Sequence, residues 1–106
     1  MSGGMSDAAE HYRGRAVVLA RSATDALAKL GVTVLVTGSL ARGRFAPHSD
    51  IDFLITSCPR HRKYTIEGVI EDVLEGIPFD VVYLDEIPAW KVAHFTSGAV
   101  DARHLR

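Results

Sequence analysis

The chain has 106 residues, 47% of them hydrophobic and 24% charged, and its formal net charge is −1. This length fits one domain spanning Met1–Arg106, and the composition gives no sign of disorder. The near-neutral charge disfavours direct nucleic-acid binding. No apolar run approaches the roughly 20 residues of a membrane-spanning helix, and no secretory leader is visible. We therefore expect a cytoplasmic protein that does not bind membranes, and the single Cys58 agrees with a reducing compartment.

The apolar pattern predicts three strands and four helices after a small, polar start, Met1–Ser6, which we expect to be frayed. Runs of β-branched residues indicate the strands, and apolar residues at helical spacing indicate the helices. In chain order the predicted elements are a helix from Asp7 to Leu30, a strand over Val32–Thr37, a short helix over Leu40–Phe45, a strand over Asp50–Thr56, a helix over Ile66–Leu74, a strand over Phe79–Leu84 and a last helix from Pro88 to about Ser97.

The connections between the strands predict a mixed sheet. A full helix joins the second strand to the third, which favours a parallel pair with a right-handed crossover. A shorter excursion joins the first strand to the second and is compatible with an antiparallel pair. We therefore predict an α/β (α+β) fold in which helices flank a small mixed sheet.

Three carboxylates fall at the starts of the second and third strands. Asp50 and Asp52 are two residues apart, so their side chains share a face and lie about 6.6 Å apart at ~3.3 Å per residue. Asp80 is one residue into the third strand, and parallel strands begin at the same end of a sheet. Neighbouring strands lie ~4.8 Å apart. If the faces coincide, the three carboxylates converge within reach of a common pair of cations.

The same geometry separates other charged residues from this corner. Asp85 lies five residues beyond Asp80, roughly 16 Å away at ~3.3 Å per residue. Arg60, Arg62 and Lys63 follow the far end of the second strand. We therefore expect these four residues at the opposite edge of the sheet.

A glycine-serine turn closes the first strand. If that strand is antiparallel to the second, Gly38-Ser39 lies beside Asp50. The amides of this turn and the Ser39 hydroxyl then suit an anion, because a phosphate approaches the backbone most closely where no Cβ intervenes. Two alternatives remain open: Ser39 caps the following helix, and Arg42 either contacts phosphate or forms a structural ion pair.

The stretch Gly38–Ile55 reads GSLARGRFAPHSDIDFLI. It contains G-S-x-A-R-G, a short gap, and S-D-x-D followed by apolar residues. With the later strand acid Asp80, the chain resembles the DNA polymerase β-like nucleotidyltransferase superfamily and is most similar to its minimal nucleotidyltransferases. The order of elements extends the similarity to about Gly98. The resemblance implies the palm-like nucleotidyltransferase fold.

The resemblance also implies a reaction and its residues. A hydroxyl attacks the α-phosphorus of a nucleoside triphosphate, expected to be ATP, and pyrophosphate leaves; two Mg²⁺ ions held by carboxylates assist. The implied catalytic and metal-binding residues are Asp50, Asp52 and Asp80, and the implied nucleotide-binding residues are Gly38 and Ser39. Asp80 is also the expected acceptor of the hydroxyl proton.

Minimal nucleotidyltransferases are often antitoxins paired with a helical HEPN-type ribonuclease toxin. This implies a protein adenylyltransferase that moves AMP from ATP onto a tyrosine of the toxin. We expect no room in 106 residues for a separate acceptor-binding domain, which agrees with an acceptor that brings its own surface. Two alternatives stay open: an antitoxin that acts by occlusion without turnover, and the catalytic subunit of a small-molecule nucleotidyltransferase.

The remaining candidates are weaker. The five histidines show no metal-ligand spacing, and His48 is the one closest in sequence to the acids. Cys58 has no base near it in sequence and is expected to be inert. Trp90 and Phe95 lie five residues apart on the predicted last helix, where core packing and contact with a partner are both open.

Overall fold

The computed structural model describes residues 7–105, so the prediction that Met1–Ser6 is frayed lies outside the described residues. None of the helices in residues 7–105 combines the length and hydropathy needed to cross a bilayer. The helices and strands are α1 (Asp7–Ala28), β1 (Thr33–Thr37), α2 (Gly38–Ala41), β2 (Ile51–Ser57), α3 (Ile66–Leu74), β3 (Phe79–Tyr83) and α4 (Val92–Thr96). Short 3₁₀ segments cover Arg60–Thr65, Leu84–Glu86, Ala89–Lys91 and Ala102–His104.

The three strands form one sheet in the order β1-β2-β3. β1 is antiparallel to β2, and β2 is parallel to β3. The predicted α/β fold class and both predicted strand directions are confirmed. The crossover through α3 places the starts of β2 and β3 side by side, because a strand that follows a helix crossover returns in the same direction.

One face of the sheet carries the core. Val34 and Val36 of β1 and Phe53 and Ile55 of β2 are all at most 2% exposed, and they belong to the cluster that α1 and α3 cover. Side chains alternate along a strand, so Leu54 lies on the other face. Leu54 is also fully buried but is outside that cluster. Other parts of the chain therefore shield the second face of the sheet from solvent at this position.

The chain that follows β3 returns to the outer edge of β1. There Val100 and Val36 pair through two backbone hydrogen bonds of 2.8 and 2.9 Å. Arg21 of α1 fixes the next turn, since its Nε donates to the Ala102 carbonyl at 3.1 Å and its Nη2 to the Leu105 carbonyl at 2.7 Å. The stretch 99–105, which the sequence pattern left unassigned, is therefore pinned to both β1 and α1.

The predicted last helix is present over most of its length but is irregular. Pro88 is extended, with φ −56° and ψ 142°, and it separates the 3₁₀ turn Leu84–Glu86 from the turn Ala89–Lys91, which continues directly into the five-residue α4. Lys91 is the N-cap of α4, and its ammonium lies over the Trp90 ring, 4.9 Å from the centroid, in an exposed position.

The predicted short helix after β1 is also shifted. α2 begins at Gly38 rather than Leu40 and ends at Ala41. Gly43 has φ 75°, a left-handed conformation that ends the helix. Phe45 then enters the core, where it is 1% exposed and stacks on Tyr12 at 5.5 Å between ring centroids.

Candidate active site

A row of polar side chains crosses the second face of the sheet. Thr37 of β1 is opposite Asp52 of β2, and Asp52 is opposite Asp80 of β3. The next row on the same face is apolar, with Leu35, Leu54 and Val82 in register. The backbone therefore places two carboxylates on adjacent strands directly beside a hydrophobic floor.

Asp50 lies at the same corner, although it precedes β2 instead of beginning it as predicted. The Ile51 amide donates to the Pro78 carbonyl at 3.0 Å, which joins the start of β2 to the start of β3. The Ala46 amide donates to Ser49 Oγ at 3.0 Å, and the Ser49 amide donates to the Ala46 carbonyl at 2.9 Å. Ser49 thus closes the turn that precedes the exposed Asp50, whose charge acts on Asp52 but which is not among the residues that line the cavity described below.

Gly38 is required by its proximity to Asp52. Its φ is 70°, and a Cβ built on it would overlap Oδ2 of Asp52 and lie 3.0 Å from Cγ. Any other residue here meets both an unfavourable backbone conformation and the carboxylate. The glycine therefore brings the turn after β1 into contact with the acid on β2.

The charges at this corner are mutually unfavourable. Burial raises the pKa of Asp52 above its usual value, and the nearby carboxylates of Asp80 and Asp50 raise that pKa further, against an opposing effect from Arg42. Like charges at short range disfavour ionisation. A cation bound among the acids would relieve this repulsion.

The donor set fits a hard divalent cation, because Mg²⁺ prefers carboxylate oxygens. In the side-chain conformations within residues 7–105, no group of three or more His, Cys, Asp or Glu side chains is arranged to hold a metal ion. The shared corner of Asp50, Asp52 and Asp80 is thus a property of the backbone register and of their electrostatic coupling. The assignment of the three acids as metal ligands stays a prediction.

Gly38 and Ser39 form the first two residues of α2. The N-cap is Thr37, and no side chain caps this helix. Ser39 is therefore not the cap, which removes the alternative considered from the sequence. With only four residues α2 has a small macrodipole, so the donors available to an anion are the local amides and the Ser39 hydroxyl. Their role in nucleotide binding stays a prediction.

A cavity of about 470 Å³ opens over the polar row. Its walls come from the sheet on one side and from the chain around α4 on the other. Besides Thr37 and Gly38, the lining residues are Arg42, Asp52, Asp80, Val81, Val82, His94, Phe95, Ser97 and Gly98. Arg42 forms none of the ion pairs found in residues 7–105, so the interpretation as a structural ion pair loses support.

The sequence analysis did not place His94 and Phe95 in this cavity. The histidine singled out there, His48, is exposed and does not line the cavity. Trp90 is 79% exposed and also lies outside it. The only sequence signal was the aromatic pair near the end of the chain, and its position depends on the return of this segment to β1.

Three of the four charged residues predicted at the opposite edge line a cavity there. Asp85, Arg60 and Lys63 line a separate cavity of about 420 Å³ together with Tyr83 and Cys58. None of these five residues lines the cavity over the acids. Their position away from the three acids agrees with the prediction.

A comparison with protein families finds one match that covers most of the chain. Residues 20–100 match the family model described as a nucleotidyltransferase domain. This range includes all three strands, the glycine-serine turn and the three acids. No curated protein and no solved structure matches the chain.

Proposed function

The chain belongs to the nucleotidyltransferase domain family, and on that premise we propose that Asp50, Asp52 and Asp80 catalyse transfer of a nucleotide from ATP to a hydroxyl group. One observation carries this proposal. Asp52 and Asp80 are paired in register on adjacent strands, and the Gly38 turn lies so close to Asp52 that a Cβ at Gly38 would overlap its carboxylate as placed. Acid and turn thus form one site.

The reaction is an in-line substitution at phosphorus. The acceptor oxygen forms a bond to the α-phosphorus, the bond from that phosphorus to the bridging oxygen breaks, and pyrophosphate leaves with the electron pair. Asp80 accepts the proton of the acceptor hydroxyl. The Gly38 amide and the Ser39 hydroxyl orient the β- and γ-phosphates, and the Arg42 cation lies in the same cavity.

Asp50, Asp52 and Asp80 would hold the Mg²⁺ ions that such transferases use. When bound, Mg²⁺ supplies charge neutralisation for the triphosphate and polarises the oxygens of the reacting groups. The protein's own contribution is positioning. The register of β2 and β3 sets the spacing of the acids, and the turn after β1 sets the distance to the phosphates.

The acceptor we propose is a tyrosine hydroxyl on a cognate HEPN-type toxin, so that the chain acts as an antitoxin by adenylylation. Support comes from the resemblance to minimal nucleotidyltransferases and from the position of Asp80. This acid is exposed and lies on β3, an outer strand of the sheet. A hydroxyl presented on the surface of another protein has direct access to such a site.

Incubation with ATP labelled at the α-phosphate, Mg²⁺ and the protein encoded by the adjacent gene tests the proposal. We expect label on a tyrosine of that protein with the natural chain and none with Asp52→Asn. Asp85→Asn is the matched control, because this acid lies outside the cavity. Absence of label from the neighbour and from a panel of small hydroxyl compounds would contradict nucleotidyl transfer.

Occlusion without turnover is the second candidate. The observation that favours it is Trp90, which is 79% exposed, since exposed aromatic residues are common anchors of protein interfaces. Cells that express the toxin distinguish the two modes. Rescue by Asp52→Asn together with loss of rescue by Trp90→Ala indicates occlusion, whereas the reverse pattern indicates catalysis.

A further inference from the structure

We propose that Phe95 and His94 form the wall that binds the nucleobase of the transferred nucleotide. This inference rests on the proposed nucleotidyl transfer and assigns a part of the site that the acids and the glycine turn do not cover. Its ligand class is a planar purine or pyrimidine ring joined to a triphosphate.

The first support is the polarity of the cavity. The end formed by Gly38 and Arg42 offers amides and a cation, whereas the α4 side offers the rings of His94 and Phe95. A nucleotide has the same two-part character, with anionic phosphates and a planar ring. The volume of about 470 Å³ lies within the roughly 300–1,000 Å³ typical of small-molecule sites.

The second support is the arrangement of the two rings. Their centroids are 5.5 Å apart and their planes are inclined by 86°. In such an edge-to-face pair each ring keeps at least one face that the other does not cover. A free aromatic face adjoining a phosphate site stacks a nucleobase with little regard for its identity.

The third support is that Phe95 is not part of the hydrophobic core. It is half-buried, yet it belongs neither to the core cluster nor to the side chains packed against that cluster. The helices α1 and α3 pack on the other face of the sheet. Phe95 is therefore held at a cavity wall instead of filling the interior.

An aromatic side chain of the acceptor is the competing occupant. The nucleobase is favoured because it must lie within one nucleotide's length of the acids, whereas a protein acceptor needs only its hydroxyl there. The cavity joins the rings and the acids on a single surface. We therefore assign the wall to the nucleotide.

Affinity measurements with ATP and with inorganic tripolyphosphate test the assignment, both in Mg²⁺. We expect Phe95→Ala to weaken ATP binding about tenfold, because base stacking is typically lost in that range, and to leave tripolyphosphate binding unchanged. Phe95→Leu keeps an apolar side chain of similar size but removes the ring. It should still weaken ATP binding, which distinguishes base stacking from general packing. Trp90→Ala is the control and should bind both ligands as the natural chain does.

Each outcome decides the matter once thermal unfolding shows that the variants are folded. Natural ATP affinity in Phe95→Ala and His94→Ala overturns the assignment, as does an equal loss for ATP and tripolyphosphate. If the variants bind ATP normally and are defective only in transfer onto the acceptor, the aromatic wall binds the acceptor, and the nucleobase assignment is overturned. ATP binding that depends on Phe95 in a protein that never transfers a nucleotide supports the wall while removing the proposed function.

Discussion

The two ends of the sheet carry cavities of similar size and opposite electrostatic character. The cavity over Asp52 and Asp80 measures about 470 Å³ and the one beside Tyr83 about 420 Å³. At the Tyr83 end charges of both signs are present, and Lys63 pairs with Glu86 and lies over the Tyr83 ring. At the acid end the carboxylates of Asp80 and Asp50 raise the pKa of Asp52, and Arg42 opposes them.

Cavity size therefore does not distinguish the two ends, whereas the repulsion among carboxylates does, and it is the reason for proposing the active site at the acid end. A folded protein keeps a costly cluster of like charges where a ligand offsets the repulsion. At the opposite end Lys63 already has a partner in Glu86. Substitutions that neutralise one end should consequently change chemistry, and those at the other end should change little.

Asp52→Asn should produce the largest difference between the ends. We expect nucleotidyl transfer to fall at least about a hundredfold, because preorganised electrostatic groups of an active site contribute on that scale. Asp85→Asn, at the opposite end, should keep transfer within about twofold. Initial rates with saturating ATP provide the measurement. Similar losses in both variants would erase the distinction between the ends.

Gly38→Ala should damage both activity and stability, and Gly43→Ala separates the two causes. Both glycines have positive φ, 70° and 75°, so each substitution costs about 1 kcal/mol of left-handed strain. Only at Gly38 would the new methyl overlap Asp52, since nothing lies within 4 Å of a Cβ at Gly43. Urea unfolding and transfer rates should show a larger defect for Gly38→Ala. Equal defects would mean that contact with Asp52 is unimportant.

The stability of the acid end should depend on pH in a defined direction. Because the pKa of Asp52 is raised in the folded protein, the unfolded chain loses this proton first, and ionisation of Asp52 destabilises the fold. The free energy of unfolding, measured relative to Asp52→Asn, should therefore fall as pH rises above the usual value of 3.8. Urea titrations without Mg²⁺ from about pH 3.5 to 7 measure this difference. Curves that stay parallel would contradict the burial and repulsion inferred for Asp52.

Lys63→Met should have the smallest effect. The ammonium and its partner Glu86 are 37% and 55% exposed in their side chains, and exposed ion pairs contribute little to stability. We expect an unfolding midpoint closer to that of the natural chain than the midpoint of Gly43→Ala, with unchanged ATP affinity. A loss of nucleotide binding would place part of the site at the Tyr83 end.

Local pattern and connection length were sufficient to predict much of the acid end. A helix between β2 and β3 fixes their parallel direction, and this direction puts Asp80 beside Asp52. The short excursion after β1 allows the antiparallel pair that brings Gly38 to the same corner. These relations involve neighbouring elements, so the sequence is informative about them.

The rest of the candidate site depends on contacts between residues that are distant in sequence. His94 and Phe95 reach the cavity because the chain after β3 crosses back to β1, where Val100 pairs with Val36. No periodicity in the segment encodes that pairing. Nor does the pattern show that the helical segment after the extended Pro88 begins as a 3₁₀ turn.

The Arg21 contacts described above also bear on local stability. They join residues 81 and 84 positions apart in sequence and hold the end of the chain against α1. The segment that carries His94 and Phe95 lies between β3 and this anchor, so it is held by the sheet at one end and by α1 at the other. Loosening the Arg21 guanidinium, as in Arg21→Lys, should make local opening of residues 84–105 easier, which amide hydrogen exchange detects ahead of global unfolding.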